Sequence, residues 1–374
     1  MARAPALQEI EAPPEADRLD GFPHPRQTRS VIGHDVAQQM LAEGVRSGRL
    51  HHGWLFTGPE GIGKATLGYA LARHLLARPD ERDAAAASLV IPVSSIAYRQ
   101  VTALSHPDLL VLRRPWDPKT KRQTSTIPVD EVRRLRMFLG HKAEAASWRV
   151  VLVDAADDLN ASAANALLKS LEEPPPRVVF ILISSEPGRL LATIRSRCRI
   201  LALAPLEPDH LKAAVGQAVA ASENGTPPAP SDWPGLIELS RGSVRRALGV
   251  SSSGGLKLYE RVHAIVSALP RIDWATVHTL SDELAGAAAE QKFESFFEFL
   301  MDLFGRLVRA RSTGEGSPAD LALARKLIAD AQLPVFAAAW SDIAAAKADT
   351  MALNLDRKAL IMDTISRLAA AANG

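Results

Sequence analysis

The sequence predicts an α/β fold built on a parallel sheet, followed by a small helical region and an all-α C-terminal part. Three observations predict it. Short, continuously apolar runs at 54–57, 150–153 and 178–183 read as strands buried on both faces. Amphipathic helical patterns alternate with those strands, the mark of a sheet covered by helices on either side. Beyond about residue 256 only helix-spaced apolar positions recur.

Residues 1–25 are rich in Ala, Pro and Glu without apolar periodicity, and a flexible tail is expected there. The α/β domain is expected over 26–204. Trp54-Leu55-Phe56-Thr57 reads as its first clear strand. Lys64 to Leu76 reads as a helix with Leu67, Ala70, Leu71, His74 and Leu75 on one face. Arg149 to Asp154 is a second strand. Ser162 is expected to cap a helix carrying Ala164, Leu167, Leu168 and Leu171, stopped by Pro174-Pro175-Pro176. Val178 to Ile183 forms a third strand.

A smaller helical domain is expected over 205–250, opening at Pro205-Leu206 and with a further helix from Gly242-Ser243-Val244-Arg245. The Ser/Gly-rich stretch 251–255 marks a boundary. The C-terminal domain, 256–374, reads as helix throughout. Its clearest stripe is Phe293, Phe296, Phe297, Leu300, Met301, Phe304, Leu307 and Val308.

The composition excludes several classes. A formal net charge of +2 argues against a surface coated with nucleic-acid-binding charge. The single cysteine, Cys198, excludes disulfides and Cys-based zinc sites within the chain. No apolar run approaches the ~20 residues of a membrane span, and the N-terminus lacks a signal core, so the cytoplasm is expected.

Gly58 to Lys64 has the spacing of a phosphate-binding loop, GxxxxGK, between a strand and a helix. Gly58, Gly61 and Gly63 allow successive backbone N–H groups to turn toward phosphate oxygens, and the helix N-terminus adds partial positive charge. Lys64 would reach the β- and γ-phosphates. The next position needs a hydroxyl for Mg²⁺, and here it is Ala65; Thr66 lies on a different face of the helix. Nucleotide would still bind through backbone amides and Lys64, or the loop would serve only as a turn.

Asp154 ends an apolar strand, where a carboxylate can face a metal. Nucleotide hydrolysis needs a further carboxylate next to it to orient the attacking water. That position is Ala155, and Asp157 and Asp158 are expected to point elsewhere. The two losses agree with each other and argue against an active ATPase.

Asn165 to Pro175, containing Leu167-Leu168-Lys169-Ser170-Leu171-Glu172-Glu173-Pro174-Pro175, and then Ser196-Arg197-Cys198, resemble the LLKxLEEPP and SRC signatures of the clamp-loader family of AAA+ proteins. His51 to Pro59 resembles that family's approach to the P-loop, and His106-Pro107-Asp108 the segment after its zinc module. The resemblance spans roughly 26–250. It implies a P-loop AAA+ domain, a helical lid over 205–250 and a helical collar over 256–374. The loss of both catalytic groups with retention of SRC is similar to the delta-prime branch of the DNA polymerase III clamp loader. On that likeness Arg197 would be an arginine finger acting in trans on a gamma/tau subunit. Gly58, Gly61, Gly63, Lys64, Asp154 and Arg245 would be a degenerate nucleotide site, with Ser184 or Ser185 at the sensor 1 strand end. ATP or ADP, where bound, would not be hydrolysed, and no cofactor would be required.

The implied partners are gamma/tau and delta subunits and, through them, the sliding β clamp and primed DNA. The family's four-cysteine zinc module is missing from 83–105, so no zinc is expected. Arg113 to Arg122 is the one dense basic stretch, and its Trp116 would suit base stacking. Asn354 to Lys358, leading into Leu360, Ile361, Ile365 and Leu368, resembles the final collar helix. Two other readings are an active gamma/tau-like ATPase motor, against which Ala65 and Ala155 speak, and a non-catalytic DNA-binding scaffold.

Overall fold

The computed structural model describes residues 15–16, 18–82, 88–120, 122–140, 147–222, 225–252, 254–286, 289–353 and 355–373. The chain forms two compact units, one ending at Gly249 and the other beginning at Val250.

In the first unit, five parallel strands form the main sheet: β1 (Gly53–Thr57), β2 (Leu109–Leu112), β5 (Arg149–Val153), β6 (Val178–Ser184) and β7 (Arg199–Ala202). A two-residue hairpin, β3 (Trp116–Asp117) with β4 (Arg122–Gln123), stands apart. The main order is β2-β5-β6-β1-β7. β1, β5 and β6 are buried along their length because helices cover both faces. On one face Trp54, Phe56, Val150, Leu152 and Ile181 join α1 (Asp35–Arg46) and α2 (Lys64–Leu76). On the other, Leu55, Val151, Val153 and Phe180 meet α4 (Val129–Gly140) and α5 (Ala161–Glu172). α3 (Ile96–Thr102) packs on α2, and the short α6 (Ala192–Arg195) leads into β7.

The α2 span agrees with the sequence reading, and its expected face is buried. The cap of α5 does not agree. Asn160, not Ser162, is the N-cap: its side chain accepts from the Ala163 amide at 2.8 Å. Two residues upstream, the Asn oxygen meets the unpaired first-turn amides, whereas Ser162 already lies inside the helix.

The tail expected over 1–25 is shorter. Residues 1–14 and 17 lie outside the described residues, but Ala16, Phe22 and His24 are buried. Both Glu15 carboxylate oxygens accept from the Arg26 guanidinium, and Phe22 packs with Leu206, Leu211 and Val215. The segment docks without forming a long helix of its own, so it leaves no periodic signal.

Helices α7 (Pro208–Ala220), α8 (Trp233–Ser240) and α9 (Val244–Ser252) follow β7. The expected boundary at 204/205 therefore falls inside the first compact unit.

The second unit is helical: α10 (Gly255–Ala268), α11 (Trp274–Ala285), α12 (Glu290–Thr313), α13 (Pro318–Leu327), α14 (Leu333–Leu353) and α15 (Arg357–Asn373). α12 is its axis. Phe293, Phe296, Phe297, Leu300, Phe304 and Leu307 are buried as the stripe requires, and so are Phe299 and Leu303. The extra burial arises because α10, α11, α13 and α14 all pack on α12. Of the expected final helix, Leu360, Ile361, Ile365 and Leu368 are buried, while Asn354 lies outside the described residues.

Candidate functional site

The C-terminal ends of β1, β5 and β6 converge, the place where open parallel sheets hold ligands. β6 lies between the other two and is longer, so its register sets Ser184 beside Thr57 and carries its end past Val153. The phosphate loop, Asp154 and Ser184-Ser185 therefore meet at one edge. Gly61 to Lys64, Asp154 and Ser185 line a cavity of about 710 Å³ to which Val31, Leu206, Val244 and Leu248 also contribute.

The loop has the backbone that its glycines permit. Gly58 has φ +135°, and a Cβ there would collide with the Leu203 carbonyl. Gly61 has φ +76°, and a Cβ would lie 2.6 Å from Arg245 Cβ. Close packing and left-handed backbone both require glycine at these two positions.

Lys64 is turned inward. Its Nζ donates to the Gly58 carbonyl at 2.7 Å, the Pro59 carbonyl at 2.5 Å and Ser185 Oγ at 2.9 Å. An ammonium has three N–H donors, and all three are taken within the chain. Burial pushes the Lys64 pKa down to about 8, against the pull of the Glu60, Asp157 and Asp154 carboxylates. As arranged, the lysine that would meet phosphate is held by the loop's own carbonyls. The position after it, Ala65, has no hydroxyl for a metal.

The start of α9 closes over the loop. The Val244 amide donates to the Gly61 carbonyl at 2.9 Å. Arg245 Nε lies 3.2 Å from the Glu60 carboxylate. Arg245 thus faces the loop, engaged with an acidic loop residue. On the other side, His34 Nε2 lies 2.8 Å from the Ile62 carbonyl.

Asp154 is buried. Asp157 and Asp158, both expected to point elsewhere, line the same cavity. The 3-10 turn Ala156–Asp158 brings the residue three positions on back to the same side. The Asp157 carboxylate accepts from Ser184 Oγ at 2.5 Å, the Ser185 amide at 2.6 Å and the Glu186 amide at 3.1 Å. It therefore braces the end of β6, and its oxygens are poorly placed to activate water. Ala155 itself is left-handed, φ 59°.

Arg197 is elsewhere. It lies just before β7, beside the start of β1, where its carbonyl is 3.2 Å from the position of a Gly53 Cβ. The loop follows the other end of that strand. The Arg197 side chain is 35% exposed, with Nη2 2.7 Å from Glu172 Oε1. The adjacent Cys198 is buried, which pushes its thiol up to about 11 and leaves it inert.

The basic stretch is partly neutralised from within. Arg113 lies 3.4 Å from Glu15 and Arg114 lies 3.2 Å from Asp158, while Lys121 is outside the described residues. Sequence reasoning missed His34, Glu60 and the Glu172 pairing. The three-residue spacing from Asp154 to Asp157 was the one available signal for Asp157.

A family model described as "DNA polymerase III, delta subunit" matches residues 33–207. The chain is 30% identical over 269 residues to the DNA polymerase III subunit delta' of Escherichia coli K12, covering 72% of this chain and 74% of that one. It is 42% identical over 147 residues to the subunit delta' of Pseudomonas aeruginosa, covering 39% of this chain and 41% of that one. It is 27% identical over 279 residues to the subunit gamma/tau of Mycobacterium tuberculosis, covering 72% of this chain and 44% of that one.

Proposed function

The chain belongs to the delta-prime family of DNA polymerase III clamp-loader subunits, and on that premise we propose that it is a non-hydrolysing AAA+ subunit that lends Arg197 to a neighbour's ATP site. It is a component of the DNA polymerase III holoenzyme and acts in DNA replication. The proposed assembly joins it to gamma/tau and delta subunits in the cytoplasm. That assembly opens the sliding β clamp and sets it on primed DNA.

One observation carries the finger role. Arg197 sits beside the first residue of the five-residue strand β1, whereas the phosphate loop follows its last residue. At about 3.3 Å per strand residue the two are roughly 15 Å apart. A half-exposed arginine at the opposite end of the strand from its own loop supports a role toward a nucleotide brought by another chain. There it would stabilise charge on the transferring phosphoryl group, worth about 10³–10⁵ in rate at the site served. The closed Lys64, Ala65 and Ala155 support the absence of hydrolysis by the chain itself.

The test is reconstitution with gamma/tau and delta subunits. The chain alone should release no phosphate from ATP. Arg197→Ala should assemble normally and lower hydrolysis by the complex. Undiminished hydrolysis in an assembled Arg197→Ala complex would refute the finger role, and brisk hydrolysis by the isolated chain would refute the inactive loop.

A further inference from the structure

Glu172 is the last residue of α5, and Pro174-Pro175-Pro176 follow almost at once. A carboxylate in the last turn of a helix faces the partial negative charge of the unpaired carbonyls, so its position is electrostatically unfavourable. Arg197 compensates: its Nη2 stands 2.7 Å from Glu172 Oε1. Nη1 of the same guanidinium donates to the Thr193 carbonyl at 3.0 Å.

The platform beneath the pair is firm, while the pair itself is not. Leu171 and Cys198, the immediate neighbours of the two charges, are buried in one core cluster. His52 Nε2 lies 3.2 Å from the Leu171 carbonyl, tying the end of α5 to the entry of β1. The two charged side chains are 46% and 35% exposed. An ion pair at that exposure is screened by water and salt and exchanges readily.

We propose that Glu172 is a resting counter-ion for Arg197, displaced when a neighbouring subunit presents the phosphates of its nucleotide. The proposal rests on the reading of Arg197 as a finger. A guanidinium in contact with a carboxylate offers an approaching phosphate little net charge. Phosphate and carboxylate oxygens match the same planar donor fork, so one anion can replace the other without moving the backbone. Arg197 then stays paired before docking as well as after it. Glu172 is a positioning residue: it touches neither nucleotide nor reacting atoms and acts only through Arg197.

The experiment uses the reconstituted complex with gamma/tau and delta subunits and measures kcat/KM for ATP at several salt concentrations. Glu172→Gln keeps the size and the helix and removes the charge. It should raise kcat/KM about two- to five-fold at low salt, the scale of one exposed ion pair. The gain should shrink as salt rises, and Glu172→Ala should reproduce it. In an Arg197→Ala background neither change should have any effect. No gain, or a gain that persists without Arg197, overturns the counter-ion role while leaving the finger intact. Failure of Arg197→Ala alone to lower hydrolysis instead removes the reading on which the proposal stands.

Discussion

The Gly61 carbonyl accepts the Val244 amide at 2.9 Å, so the phosphate loop and the first turn of α9 are joined backbone to backbone. At this contact there is no room for a side chain. Gly61→Ala would add a Cβ 2.6 Å from Arg245 Cβ at φ +76°. The left-handed backbone and the overpacking together should lower stability by about 2–4 kcal/mol. Denaturant unfolding measures this, with Gly188→Ala as the control, since a Cβ there meets nothing within 4 Å.

Asp157 should matter for stability. Asp157→Ala removes the acceptor for the fully buried Ser184 hydroxyl and for the Ser185 and Glu186 amides. Leaving such groups unpaired costs about 1–3 kcal/mol. Asp157→Asn, which keeps an acceptor oxygen, should lose less. Equal unfolding midpoints for Asp157→Ala and the parent chain would contradict the bracing role.

Restoring the two missing catalytic groups should not create an ATPase. In Ala65→Ser/Ala155→Glu the three Lys64 bonds to Gly58, Pro59 and Ser185 persist. The new carboxyl side chain also inherits a left-handed backbone, φ 59°. Mg²⁺-dependent phosphate release by the double variant should stay at background. Measurable turnover would show that the loop opens for nucleotide.

Acid should weaken the first unit through its buried histidines. Burial, helped by the nearby Arg82 cation, pushes His74 down to about 4 from the usual 6.5. Between those values the unfolded chain binds a proton that the folded chain refuses. Stability therefore falls as pH drops through that window, by up to about 1.4 kcal/mol per pH unit for one site. His74→Leu should flatten the decline. It should not abolish it, because burial pushes His24 down to about 3 and adds the same sign of effect. Urea midpoints at pH 7, 6 and 5 for both chains test this.

The main strands and the α2 helix were legible because their signals are local: continuous apolar runs, a 3.6-residue stripe, and glycines at fixed offsets. The absence of a hydroxyl at Ala65 and of a carboxylate at Ala155 was legible for the same reason, since one side chain at one offset decides it. The fates of Glu15, Asp157 and Ser162 were not. Glu15 is set by Arg26 and Arg113, the latter 98 residues away. Asp157 is set by a strand end 27 residues away, and Ser162 lost its role to Asn160 through one turn of local geometry.

The sequence by itself determined the layered α/β unit, the helical C-terminal unit and the chemical incompleteness of the loop, because periodicity and side-chain identity are properties of neighbours along the chain. Tertiary structure alone decided that Lys64 is held by its own loop, that α9 joins that loop through Gly61, and that Arg197 rests against Glu172. The Lys64 bond to Ser185 and the last two contacts depend on the β2-β5-β6-β1-β7 order, which brings remote segments together at the two ends of the strands. Short-range polar contacts follow from that distance in space, and distance along the chain does not encode it.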